Sequence, residues 1–343
     1  MVHKTLIIAE IGVNHNGNTD LAKKLVYAAA EAGADVAKFQ AFKAAAVVTR
    51  HAPKAEYQLK TTGADESQEE MLARLELTET SLAMLKETCR DAGIEFLATP
   101  FDQDSVDVLC RLGLNAIKIP SGEITNLPYL RQVGALGLEL LLSTGMSTLD
   151  EVDAAIRTLE QAGTPRGKIT LFHCTTEYPA PFADVNLMAM RTMREAFPGV
   201  AGVGYSDHTP GIEIPVAAVA MGATVIEKHF TLDKNMEGPD HKASLEPHEL
   251  AAMVQSIRNV EAAMGDGVKR AAASEMGNIR IARKSLVAAR DIRAGEILDA
   301  ENLTTKRPGS GISPMLWDFM VGKVAPEAVA QDTLIPSSWL DFV

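Results

Sequence analysis

The chain has 343 residues, 46% of them apolar and 5% aromatic, with 33 basic against 45 acidic side chains and a formal net charge of −12. That length exceeds one ordinary core and points to a large domain with a small one, or to a single elaborated barrel. The negative charge disfavours nonspecific attraction to nucleic acid or anionic membranes, so an anionic substrate needs a local positive pocket.

The first element, within MVHKTLIIAEIGVNHNG, is an apolar run interrupted by Glu10 with no small-residue cleavage site, and reads as a strand and not as a signal peptide. Seven more runs of strand length follow: VAKFQA (36–41), EFLATPF (95–101), AIKIPSG (116–122), ELLLSTG (139–145), ITLFHCT (169–175), GVGYSDH (202–208) and TVIEKHF (224–230). Between them lie helical patterns such as LDEVDAAIRTLEQAG, where Thr148 followed three residues later by Glu151 predicts a capping box. Gly33, Gly93, Gly113 and Gly163 fall where helices should stop. Eight strand–helix repeats over about 260 residues predict a (β/α)8 TIM barrel, within α/β.

After the eighth helix the character changes. The expected division is a barrel over residues 1–266, a crossing segment over 267–283 in which 269–277 could add helical turns, and a small β-rich module over 284–343 with Gly and Pro punctuation. No apolar run approaches the roughly 20 residues of a membrane span. Cys89, Cys110 and Cys174 have no CxxC spacing, which makes a reducing, cytoplasmic compartment the default.

In such a barrel the chemistry sits at the C-terminal strand ends. Those ends carry Glu10, Lys38 with Gln40, Thr99, Lys118 with Ser121, Ser143 with Thr144, His173 with Thr175, Ser206 with His208, and His229. One βα unit separates His208 from His229, so they should be spatial neighbours able to hold a divalent cation with open positions for water or a substrate oxygen. The competing reading is a pair of hydrogen-bonded core histidines, and the residues alone leave both open. Lys38 and Lys118 beside Ser and Thr hydroxyls suit a phosphate and carboxylate pocket; a Schiff-base lysine is the second option. There is no Walker P-loop and no GxGxxG, so nucleotide binding has no support.

The residues AEIGVNHNG, KFQ, TPF, KIPSGE, LSTGM, HCTTEYPAP, SDHT, EKHFT and GPDHKASLEP, in that order, resemble the sialic acid synthase family, and the tail KSLVAARDIRAGEILDAENLTTKRPGSGI resembles its antifreeze-like domain. The matches run from near residue 6 to beyond residue 311. The resemblance implies condensation of phosphoenolpyruvate with an open-chain N-acetylated aldose, giving a nine-carbon 2-keto acid and phosphate. It implies His208 and His229 as ligands of Mn2+ or Mg2+, and Lys38, Thr99, Lys118, Ser121, Ser143 and Ser206 as holders of the phosphate and carboxylate. Glu10 is implied in acid/base work and Glu123 in orienting groups around it, with Gln40, Thr176, Tyr178 and Asp240 on the sugar side. Arg307 would reach the sugar's N-acetyl group from a partner subunit in a domain-swapped homodimer.

Thr176 and Glu177 stand where some N-acetylneuraminate-forming relatives have Asn and an apolar residue. N-acetylmannosamine is the first-choice acceptor, and a 2,4-diacetamido-6-deoxy sugar, as in legionaminate-forming relatives, is the alternative. Segment 51–70 is expected to be a substrate loop, and the extra N-terminal hairpin of some relatives is not expected. A carbohydrate-binding or ice-binding protein on the same scaffold is the reading from a different class.

Overall fold

The structure is a computed structural model that describes residues 4–50, 52–63 and 66–341. It divides into two compact units, Met1–Gly265 and Asp266–Val343.

The first unit is the barrel. Its strands are β1 (Leu6–Gly12), β2 (Val36–Ala41), β3 (Glu95–Pro100), β4 (Ala116–Ile119), β5 (Glu139–Ser143), β6 (Ile169–Cys174), β7 (Gly202–Asp207) and β8 (Val225–His229). They form one parallel sheet in the order β3-β2-β1-β8-β7-β6-β5-β4, and β3 lies alongside β4 to bring the ring nearly to closure. The observed strands fall inside the predicted runs because each run is bounded by a turn residue or a helix cap.

Alternation along the strands divides the core in two. Ile8, Val36, Leu97, Leu141, Phe172 and Val225, from six strands, pack on one another inside the barrel. The residues between them, such as Ile7, Ala37, Ala98, Ile117, Leu142, Leu171, Val203 and Ile226, pack outward against the helices. Space inside is tight at Gly204, where an added Cβ would lie 2.7 Å from the Val225 carbonyl oxygen and 3.2 Å from the Phe172 ring.

The helix signals hold locally. Thr148 accepts from the Glu151 amide at 3.3 Å while the Glu151 carboxylate accepts from the Thr148 amide at 2.7 Å, which starts the helix Leu149–Ala162. Gly93 ends Glu79–Ala92 in the left-handed conformation, at φ 71°, ψ 27°.

In the second unit β9 (Ser285–Ala288) and β10 (Leu303–Lys306) pair antiparallel over a separate core that includes Leu286, Ile292, Leu298, Leu303, Met320 and Trp339. The segment before it carries a 3-10 turn at Ala273–Glu275 and a helix at Met276–Ala282, so its helical turns begin inside the expected 269–277 and run on to residue 282. Among the described residues no helix is long and apolar enough to cross a membrane.

Candidate active site

The alternation that sends Ile8, Val36, Leu97 and Val225 inward sends the residues two further along each strand to the same face, nearer the C-terminal mouth. Those residues are Glu10, Lys38, Thr99 and Glu227, and the inward face also receives Lys118, Ser143, Cys174, Ser206 and His229. Glu227 is the hub. Both of its oxygens accept from Lys118 Nζ at 3.0 Å, Oε1 accepts from Ser206 Oγ at 3.0 Å, and Lys38 Nζ lies 3.7 Å from Oε2. Lys38 also donates to Thr99 Oγ1 at 2.9 Å and sits 2.8 Å from Glu10 Oε2. That last contact is a buried ion pair, both side chains being 3% exposed or less. Gln40 Nε2 donates to Glu10 Oε1 at 3.2 Å.

Burial and pairing separate these groups. Burial works to raise Glu227, but Lys118 and Lys38 outweigh it and hold the carboxyl down to about 2. Burial raises Glu10 above the usual carboxylate range even with Lys38 opposing. Burial works to lower Lys38, and the two carboxylates reverse it; Lys118 stays lowered by burial against the pull of Glu227. Burial therefore disfavours the charged form of Glu10, while Glu227 stays charged. Both lysines enter the mouth already paired, so the site is not the bare positive pocket that the net charge led us to expect. The bidentate grip on Lys118 Nζ, with Phe172 4.8 Å below it, favours an ammonium over the free amine that a Schiff base needs.

The two histidines meet, with ring centroids 5.5 Å apart, and the Tyr178 ring is 4.2 Å from His208 and 5.6 Å from His229. His208 Nδ1 lies 2.6 Å from the Thr175 carbonyl oxygen, which can only accept. Nδ1 therefore carries the proton and Nε2 keeps its lone pair. Burial lowers His208 to about 4 and His229 well below its ordinary value, so both rings are neutral. His229 Nδ1 has no hydrogen-bond partner among the described residues and lies 3.8 Å from Asp240 Oδ2. The reading as two satisfied core histidines fails at His229.

Ser121 and Thr176 converge from different strand ends. Ser121 Oγ accepts from the Gly145 amide at 3.0 Å and lies 3.3 Å from Cys174 Sγ. A Cβ at Gly145 would come within 2.3 Å of Thr176 Oγ1 and 2.8 Å of Ser121 Oγ, so the glycine lets an amide and two hydroxyls share one small space. Gln40, Tyr178, His229 and Asp240 line a cavity of about 240 Å³, whose other wall includes Val13, Phe42, Val47, Leu72, Leu75 and Phe101. Gln58 and Gln68 line it too, so segment 51–70 does reach the cavity, although residues 51, 64 and 65 lie outside the described residues.

Other expectations change. His173 does not join the mouth: it sits on the outward face of β6, with Nε2 2.6 Å from the Val185 carbonyl oxygen and its ring against Tyr205. Thr144 also turns away, donating to the Phe172 carbonyl oxygen at 2.8 Å. Glu123 lies in the same turn as Ser121, yet its observed partner is Asn126 Nδ2 at 2.5 Å and not the charge network. Arg307 belongs to the second unit, where Nε donates to the Ala282 carbonyl oxygen at 3.0 Å. Glu227 escaped the sequence reading because that reading took only His229 from the last run. The signal was present in VIEKHF, two residues before His229 and on the same strand face.

A barrel whose mouth combines two buried lysines, two buried carboxylates, clustered hydroxyls and a neutral imidazole pair has the donors to hold an anionic group. The chain belongs to the NeuB family, whose model matches residues 25–269, and an SAF domain model matches residues 283–339. It is 57% identical to the N,N'-diacetyllegionaminic acid synthase of Campylobacter jejuni subsp. jejuni serotype O:2, over 97% of this chain and 99% of that one. To the N,N'-diacetyllegionaminic acid synthase of Legionella pneumophila it is 48% identical, over 92% and 89%. The crystal structure of an N-acetylneuraminic acid synthetase from Leptospira borgpetersenii in complex with citrate superposes with a TM-score of 0.69 at 34% identity, covering 81% of this chain and 91% of that one. The chain is thus a transferase-type enzyme of the sialic and legionaminic acid synthase group.

Proposed function

We propose that the barrel joins phosphoenolpyruvate to an open-chain 2,4-diacetamido-6-deoxy hexose, releasing phosphate by C–O cleavage and forming an N,N'-diacetyllegionaminate-type 2-keto acid. The observation that carries this reading is the two-sided cavity beside the charge network. Gln40, Tyr178 and Asp240 offer polar partners to hydroxyls and amides, while Val13, Phe42, Leu72, Leu75 and Phe101 offer an apolar wall to a 6-methyl and acetamido methyls. A 6-hydroxyl against that wall would lose water without gaining a partner. The likeness to two legionaminic acid synthases supports the same choice over N-acetylmannosamine, the acceptor favoured by the sequence reading.

Lys38, Thr99, Lys118 and Ser206 supply donors for the carboxylate and phosphate, with the hydroxyls of Ser121 and Ser143 beside them. Their charges are fixed before positive character develops at C2 of the enolpyruvyl group. Glu10, raised by burial, delivers a proton to the new hydroxyl or takes one from the attacking water. Neutral His208 and His229 would hold a divalent cation, Mn2+ or Mg2+. Among the described residues there is no group of three or more His, Cys, Asp or Glu that could hold a metal, so the two imidazoles would be the side chains that hold it. Such an ion, when bound, polarises the acceptor carbonyl. Arg307 of a partner subunit in a homodimer completes the acceptor site in this reading, and the reaction belongs in the cytoplasm.

Phosphate release after EDTA treatment, and again with Mn2+ restored, tests the reading with both acceptors side by side. Mn2+-dependent release with kcat/KM at least tenfold higher for the diacetamido sugar is expected. Preference for N-acetylmannosamine would sink the acceptor assignment, and undiminished release in EDTA would sink the role of the histidines.

A further inference from the structure

Asp207 and Lys228 take no part in the chemistry above, yet they are the immediate chain neighbours of His208 and His229. The alternation that turns the histidines inward turns these two outward, behind the barrel wall. Lys228 Nζ lies 2.5 Å from Asp207 Oδ2, and both side chains are 0% exposed. Lys228 donates also to the Thr209 carbonyl oxygen. Asp207 Oδ1 accepts from Tyr205 Oη at 3.0 Å, from the Thr209 amide at 3.1 Å and from Thr209 Oγ1 at 2.9 Å. The carboxylate therefore ties residues 205 and 209 together across His208, and the ammonium ties that turn to the residue preceding His229. The two strands are in register at this point, Asp207 opposite Lys228.

A buried ion pair is poorly explained as a source of stability, because well-packed apolar residues of similar volume do as well or better. What it adds is one fixed geometry. We propose that the Asp207–Lys228 pair is a positioning clamp that locks the ends of β7 and β8 so that the imidazoles of His208 and His229 face one another at a spacing suited to a shared divalent cation. This rests on the reading of those histidines as the metal-holding pair. Hydrogen bonding of His208 Nδ1 to the Thr175 carbonyl sets the ring's rotation; the clamp sets where its backbone stands.

The test is Mn2+ affinity of the full chain, read from the electron paramagnetic resonance signal of free Mn2+ with phosphoenolpyruvate present, together with the melting temperature of each variant. The double variant Asp207→Leu/Lys228→Met removes both charges at once, and Thr209→Val removes a single hydroxyl and serves where the double variant does not fold. We expect a folded double variant to bind Mn2+ at least tenfold more weakly, and Thr209→Val several-fold more weakly, with phosphoenolpyruvate affinity in the absence of metal unchanged. A purely structural pair would lower the melting temperature and leave the Mn2+ affinity of the folded protein unmoved, and that result overturns the clamp. If the unaltered chain binds no Mn2+, the metal reading itself falls and the clamp with it; His208→Ala, which should abolish binding, separates the two failures.

Discussion

Glu227 decides the charge state of the mouth. Replacing it with glutamine leaves Lys118 buried without its bidentate partner, and an uncompensated buried charge costs about 3–5 kcal/mol. Lys118 is already lowered by burial, and Glu227→Gln should lower it further and weaken its grip on the substrate. We expect kcat/KM for phosphoenolpyruvate to fall about 100-fold or more, with a lower melting temperature; steady-state phosphate release and a thermal melt check both. Gly145 works by absence. An alanine there would press on Thr176 Oγ1 and Ser121 Oγ, so Gly145→Ala should raise the KM for phosphoenolpyruvate about tenfold, because small displacements of positioning groups are costly. An unchanged KM would remove Ser121 from the anion site.

Elements show how the same substitution acts through different physics. Gly93 ends a helix at positive φ with nothing within 4 Å of an added Cβ, so Gly93→Ala should cost about 1 kcal/mol of backbone strain and leave kcat intact. Gly204 has no such φ, but its Cβ would drive into the β8 backbone and the Phe172 ring beneath Lys118. Gly204→Ala should cost about 1–3 kcal/mol and also lower kcat, since overpacking displaces the lysine that Phe172 supports. Melting curves with parallel kinetics separate the two: equal loss of activity in both variants would contradict the division between strain and packing. The element pattern was plain in the chain itself, because apolar runs, a capping box and terminal glycines are local signals. Strand parity was not used to the same depth, which is why His173 was placed in the mouth and Glu227 was passed over.

For the whole molecule, two units with separate cores imply that the barrel folds without the small module. A chain ending at Gly265 should give a cooperative melt with barrel-like circular dichroism. Its phosphate release should fall about 100-fold if an arginine from the second unit of a partner completes the acceptor site. Full activity in that fragment, or a fully active monomer by solution mass, would remove Arg307 from the reaction.

The sequence by itself determined the eight strands, the helix caps, the separate β-rich tail and the set of polar strand ends, because periodicity, caps and turn residues act within a few positions along the chain. It also placed His208 and His229 as neighbours, since one βα unit separates adjacent strands. Only the tertiary structure decided which charges neutralise one another. Lys118 on β4 and Glu227 on β8 are 109 positions apart and not on neighbouring strands, and closing the barrel is what brings them within hydrogen-bonding distance. A buried carboxylate held near 2 and another raised above the usual carboxylate range come from that closure, because burial and pairing are properties of neighbours in space and not of neighbours in the chain.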